Sequence, residues 1–168
     1  MAQGRGRGNS RYSIQLEEKR NLKNIFGIRE AQLRRYFREA RAGRGKETGP
    51  YLIELLERRL DNALFRAGFA ETRAQARQMA SHKLVTVNGR SVNIPSYRLR
   101  PGDVVQVKES KRGKSHFANF EKKMQNVQLP GWLAAQPNEF SFSVTGAPSP
   151  QEAKLAVDTQ AVVELLSR

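Results

Sequence analysis

The sequence predicts an α+β protein, mostly helical, with a small antiparallel sheet. Three observations carry this. Over about the first eighty residues, apolar side chains recur at helical spacing. From Leu84 onward the apolar period drops to two. The basic residues gather in two blocks and leave a nearly neutral tail.

The elements follow in order. Residues 1–9, MAQGRGRGN, form a Gly/Arg arm with nothing to bury, expected to order only against a partner. Residues 11–26 read as a helix, with Leu22, Ile25 and Phe26 at i, i+3, i+4 and Gly27 as its stop. Residues 29–42 form a second helix with two stripes. Leu33, Tyr36, Phe37 and Ala40 make the apolar one; Arg34, Arg38 and Arg41 make the basic one. The loop GRGKETG follows, and Pro50 suits the first turn of a helix reaching about Ala67. Leu56, Leu60, Ala63, Leu64 and Ala67 are its buried stripe, and Arg59, Asn62 and Arg66 its polar stripe. Thr72 opens a short helix to about Ser81. Thr72-x-x-Gln75 is a capping-box pattern, in which each side chain satisfies the other residue's backbone N–H. Arg73 and Arg77, one turn apart, project together.

The sheet begins after Lys83. Residues 84–87, the turn Asn88-Gly89, and residues 90–94 read as a hairpin, because a type I′ turn needs positive φ at both central positions. Pro101-Gly102-Asp103 turns the chain into a strand at 104–108. Lys111–Lys114 is a basic patch, and a helix is expected over 115–127. Phe140, Phe142 and Val144 alternate like a strand, stopped by Pro148 and Pro150. A short helix closes the chain at 159–166. Trp132, Phe140 and Phe142 are expected in the core.

The chain has 168 residues, with 30 Lys+Arg against 16 Asp+Glu and a formal charge of +14. Such an excess repels itself in a compact state and so answers a polyanion. Nucleic acid is the first candidate, an anionic membrane surface the second. Residues 1–48 and residues 57–114 each hold 13 basic and 5 acidic groups, net +8, whereas 115–168 is net −1. The tail is therefore expected to pack and support. No run approaches the ~20 apolar residues of a spanning helix, and no signal peptide is evident. With no cysteine and only His82 and His116, neither disulfides nor a metal site are expected. The composition fits an intracellular, soluble protein without cofactor.

The most informative constellation is residues 57–107. Two short helices bearing Arg59, Arg66, Arg73, Arg77 and Lys83, then a tight hairpin with Asn88, Arg90 and Asn93, make an αα-β platform. Guanidinium forks suit phosphate oxygens because they bind bidentately. RNA is favoured over DNA, since nothing resembles a long major-groove recognition helix. Catalytic readings fail. GRGKETG is not a phosphate loop, because Ala40 stands where the first glycine is needed and Glu47 where the hydroxyl is needed. GRGRG at 4–8 has no strand before it. Glu54, Glu57 and Asp61 are better explained by pairing within a helix than by acid–base chemistry. No Ser/His/Asp or Cys/His set exists.

These residues reach a family. GFAETRAQARQMASHKLVTVNGRSVNIPSYRLRPGDVVQV (68–107), led in by ERRLDNALFRAGF (57–69), resembles the RNA-binding domain of small-subunit ribosomal protein four, bacterial type. That domain also occurs in pseudouridine synthases, tyrosyl-tRNA synthetases and small RNA-binding heat-shock proteins. FGIREAQLRRYFREA (26–40), GKETGPYLIELLERRLDN (45–62) and AVVELLSR (161–168) single out the ribosomal family.

The resemblance implies a mostly helical split domain with the small RNA-binding domain inserted. Residues 1–56 would be the arm and first helical part. Residues 57–145 would be the RNA-binding domain, its core motif at 57–120, and 146–168 a segment returning to the helical part. It implies direct binding to a junction in the 5′ domain of small-subunit rRNA, early in assembly. It also implies contact with small-subunit ribosomal protein five, proximity to mRNA at its entry channel, and an influence on translational accuracy. The setting would be a cytoplasmic or organelle ribosome. The chain is expected to be a short form lacking the family's N-terminal extension and the cysteine cluster some members carry there.

The candidate RNA-contacting set is Arg5, Arg7, Arg11, Tyr12, Arg34, Arg35, Arg38, Arg41, Lys46, Arg58, Arg59, Asn62, Arg66, Thr72, Arg73, Arg77, Gln78, His82, Lys83, Asn88, Arg90, Asn93, Lys111 and Lys114. For Lys111 and Lys114, RNA contact and a merely exposed loop stand equal. No catalytic or metal-binding residue is expected, and no small-molecule substrate. The rivals are a pseudouridine synthase, for which the 54 residues after position 114 are too few, and a free-standing regulatory RNA-binding protein.

Overall fold

The computed structural model describes residues 10–168. The elements are α1 (Arg11–Phe26), α2 (Glu30–Ala42), α3 (Thr48–Glu57), α4 (Leu60–Arg66), α5 (Arg73–Ser81), β1 (Val85–Val87), β2 (Arg90–Ser91), β3 (Val104–Val107), α6 (Phe120–Met124), β4 (Leu133–Gln136), β5 (Ser141–Val144), α7 (Pro150–Ala153) and α8 (Thr159–Leu166). The chain is α+β and divides into two compact units. One holds residues 10–52 and 155–168; the other is Ile53–Lys154.

The first unit is helical. Ser10 caps α1 by accepting from the Ser13 N–H, and Gly27 ends it with φ 64°, where a side chain would be strained. Leu22, Phe26, Leu33, Phe37 and Ala40 are buried, on the apolar stripes the spacing predicts. α8, capped by Asp158, packs on α1 and α2. Arg11 pairs with Glu164, which holds that carboxyl below the usual carboxylate range, and Gln15 Nε2 donates to the same carboxylate at 3.0 Å.

Glu30 ties α2 to α1 through Lys19 Nζ at 2.8 Å and Lys23 Nζ at 2.9 Å. Lys19 first, then Lys23, hold the Glu30 carboxyl at about 2 against the opposing effect of burial. A depressed carboxylate contributes stability above its ordinary value of 4.5, which is lost as pH falls toward 2. Glu30→Gln is therefore expected to lower stability at pH 7 by about 1 kcal/mol, a figure reduced for solvent screening. The difference from wild type should vanish near pH 2, read by denaturant titration at both pH values.

The second unit packs α4 and α5 on one antiparallel sheet of order β2-β1-β3-β5-β4. Val85 faces Val107 and Val105 faces Phe142, so the period-two residues supply the core. Asn88 and Gly89 have φ 52° and 81°, as the hairpin turn requires. Phe142 and Trp132 are buried, and Phe69 meets Phe120 and Phe142 edge-on at 4.9 and 5.1 Å. The near-neutral tail thus supplies both outer strands on one side of the sheet.

Four expectations are corrected. The single helix over 50–67 is two helices, because Arg59 is extended (φ −65°, ψ 141°) and bridges Arg98. The backbone N–H groups of Leu60 and Asp61 donate to the carbonyls of Tyr97 and Pro95, at 2.8 and 3.1 Å, in place of intrahelical partners. The helix over 115–127 is a 3₁₀ turn, Ser115–Phe117, and the short α6, separated where Asn119 takes φ 56°. β2 stops at Ser91 rather than 94, and β4 and α7 were not expected. The capping box is half formed. Thr72 accepts from Gln75 N–H at 3.0 Å, but Gln75 Oε1 accepts from Glu71 N–H rather than from Thr72.

Candidate nucleic-acid interface

The site lies where α3 gives way to α4. The break at Arg58 and Arg59 turns Glu57 and Asp61 inward, where both are buried beside arginines. Glu57 accepts a fork from Arg66, at 3.0 Å from Nε and 2.7 Å from Nη2. Asn62 Nδ2 donates to the same carboxylate at 2.6 Å and to the Glu57 carbonyl at 2.8 Å. Asn62 Oδ1 in turn accepts from Arg73 Nε at 2.9 Å, and the Arg73 guanidinium lies 4.5 Å over the Phe65 ring. Beside this chain, Arg59 forks onto Asp61 at 3.1 and 3.0 Å, and Arg77 Nε stands 3.7 Å from Asp61.

Three guanidiniums thus converge on two carboxylates, and a fourth, Arg73, joins them through Asn62. The carboxylates fix the arginines without neutralising them all. Burial, and after it the charge of Arg66, push the Arg73 guanidinium down to about 10, while Glu57 and Asp61 act the other way. Arg73 therefore keeps its charge at neutral pH. A set of arginines held in place before a ligand arrives loses less side-chain entropy on binding an anion.

The same stretch is matched by family models. Residues 58–105 fit the one described as the S4 domain, and residues 1–57 the one described as the ribosomal protein S4/S9 N-terminal domain. The small ribosomal subunit protein uS4 of Variovorax paradoxus is 41% identical over 163 residues, covering 97% of this chain and 78% of the relative. The chain belongs to the uS4 family. The uS4 proteins of Cutibacterium acnes and Roseiflexus castenholzii are 42% and 43% identical, covering 98% and 95% of this chain and 82% and 78% of their own lengths.

Within this uS4-family chain the candidate residues fall into distinct groups. Arg5 and Arg7, with the rest of the Gly/Arg arm, lie outside the described residues. In the first unit, Arg34, Arg35, Arg38 and Arg41 are exposed along α2, Arg34 with Glu30 at 3.2 Å. Arg11 is paired with Glu164, Tyr12 lies under Arg168, and Lys46 lies over the Tyr51 ring. In the second unit, Arg66, Arg73 and Arg77 are half-buried and share the network above, while Thr72 caps α5. Gln78, His82 and Lys83 are exposed at the far end of α5. Arg58 donates to the Leu99 carbonyl at 2.9 Å. Asn88 is exposed but braces its own turn through Asp103 and the Val104 N–H, both at 2.9 Å. Arg90, Asn93 and Lys114 are exposed and Lys111 is half-buried.

The expected polar stripe of Arg59, Asn62 and Arg66 is corrected. Arg59 is 3% and Asn62 1% exposed, so these two hold their neighbours from within. The reading of Glu57 and Asp61 as partners within one helix is also corrected. Their partners, Arg66, Arg59 and Arg77, stand on other elements or across the break.

Proposed function

We propose that the chain is a structural constituent of the small ribosomal subunit that binds small-subunit rRNA directly. The observation that carries this reading is the arginine network on Glu57, Asn62 and Asp61, in a chain of the uS4 family. Arg66, Arg73 and Arg77, and Arg34, Arg35, Arg38 and Arg41 on α2, would neutralise phosphates and release the counterions condensed on them. Gln78, Lys83, Arg90, Asn93, Lys111 and Lys114 extend the contact. The chain acts by binding and not by catalysis, and its two basic blocks meet different rRNA helices of the 5′-domain junction. Early binding there nucleates the subunit body. Contact with ribosomal protein five and with mRNA near the entry channel gives it a part in translational accuracy.

Gradient sedimentation of native extracts tests this. The protein is expected with small subunits, and chemical footprinting of its complex with small-subunit rRNA should protect a multi-helix junction. Protein confined to soluble fractions, with small subunits lacking it, would overturn the assignment in favour of a free-standing regulator.

A further inference from the structure

We infer that the connection between β2 and β3 is a seat for one unpaired RNA base, stacked on Tyr97 beside Ile94. This rests on the RNA-binding reading above and adds a ligand class to it. Residues 90–102 carry Arg90, Arg98 and Arg100 and no carboxylate. Ile94 is 54% and Tyr97 37% exposed, among the few large apolar side chains left at the surface. Their exposure does not come from a loose loop. The Tyr97 carbonyl accepts from Leu60 N–H at 2.8 Å and the Pro95 carbonyl from Asp61 N–H at 3.1 Å. Tyr97 N–H donates to the Ile94 carbonyl at 3.0 Å, and Leu99 N–H to the Arg58 carbonyl at 2.9 Å. The aromatic ring is therefore presented on backbone fixed at both ends.

What it is fixed to decides the ligand. The facing segment carries Asp61, whose carboxylate pairs with both Arg59 and Arg77, and Arg98 stands opposite Arg59. An exposed aromatic residue on a segment that carries arginines and no carboxylate fits a group that is planar and anionic together. A nucleotide is such a group, its base on the ring and its phosphates toward the arginines. The base must be unpaired, because a duplex hides its faces in the stack. Tyr12, by contrast, already has Arg168 across its ring at 5.4 Å.

The test uses the full chain and a transcript of the 5′ domain of small-subunit rRNA from the same source. Tyr97→Ala is expected to weaken binding by roughly tenfold, within the range for loss of one stacked base. The dependence on salt should keep its slope, since no phosphate contact is lost. Tyr97→Phe should bind like wild type, and Tyr97→Leu, which keeps an apolar body without the ring, should bind like Tyr97→Ala. Ultraviolet irradiation should join Tyr97 to a single nucleotide in an unpaired stretch. Wild-type affinity in Tyr97→Ala and Tyr97→Leu, or a loss that comes with a shallower salt slope, overturns the inference alone, including in favour of a protein partner at this surface. Failure of the wild-type chain to bind the transcript overturns the RNA-binding reading and this inference with it.

Discussion

Replacing Arg73 and Arg77 together by alanine is expected to weaken binding to small-subunit rRNA and to reduce the slope of log affinity against log salt by about 2. The two side chains share one face of α5 and reach the same network, Arg73 through Asn62 and Arg77 through Asp61. Each phosphate neutralised releases counterions, so each lost contact removes about one unit from the slope. Filter binding across a salt series reads this directly. Arg73→Lys with Arg77→Lys should keep the slope, because the charges remain, yet lose affinity, because an ammonium lacks the planar fork and the stack on Phe65. An unchanged slope in the alanine variant, with the fold intact, would show that these arginines do not meet phosphate.

Glu57→Ala is expected to be the most costly single change in the interface. The carboxylate is buried and accepts from Arg66 twice and from Asn62 once. Its removal strips a half-buried guanidinium of its carboxylate and leaves the buried Asn62 amide only the Glu57 carbonyl, at a cost of about 3 kcal/mol. Removing both partners in Glu57→Leu with Arg66→Met should recover much of that loss, since the stranded charge goes too. Denaturant titration of the three variants measures the coupling. Glu57→Ala should also reduce rRNA affinity where the chain is still folded, because Arg66 loses its carboxylate and Asn62, which positions Arg73, loses one of its two acceptors. Stability within about 0.5 kcal/mol of wild type would mean that solvent replaces the carboxylate and that the network is not what holds Arg66.

The sequence made the helices legible where an amphipathic period meets a local stop. α1, α2, α5 and α8 lie within a residue or two of their expected bounds, because stops and caps such as Gly27, Gly43 and Thr72 act through nearby atoms. The Asn88-Gly89 hairpin was legible for the same reason. What stayed hidden depends on distant partners. Nothing within residues 50–67 announces the break at Arg59, since the acceptors for the α4 N–H groups are carbonyls of Pro95 and Tyr97. β4 lacks a strong alternation and exists because β5 lies beside it, with Ala135 opposite Phe142. The basic character of the interface was plain from Arg66, Arg73 and Arg77. The roles of Glu57 and Asp61 were not, because a buried acid and an exposed one look alike in a helical run.

The split of the first unit sets a timetable for a chain made from one end. Arg11 and Gln15 on α1 meet Glu164 on α8, some 150 positions later, so this unit remains incomplete until α8 has been added. The unit Ile53–Lys154 has its whole core, and the carbonyls that cap α4, before then. Since domains fold as units while synthesis proceeds, the arginine network is assembled first and the helical unit closes last. The unit that carries the S4 domain is thus complete in sequence while α1 still waits for α8.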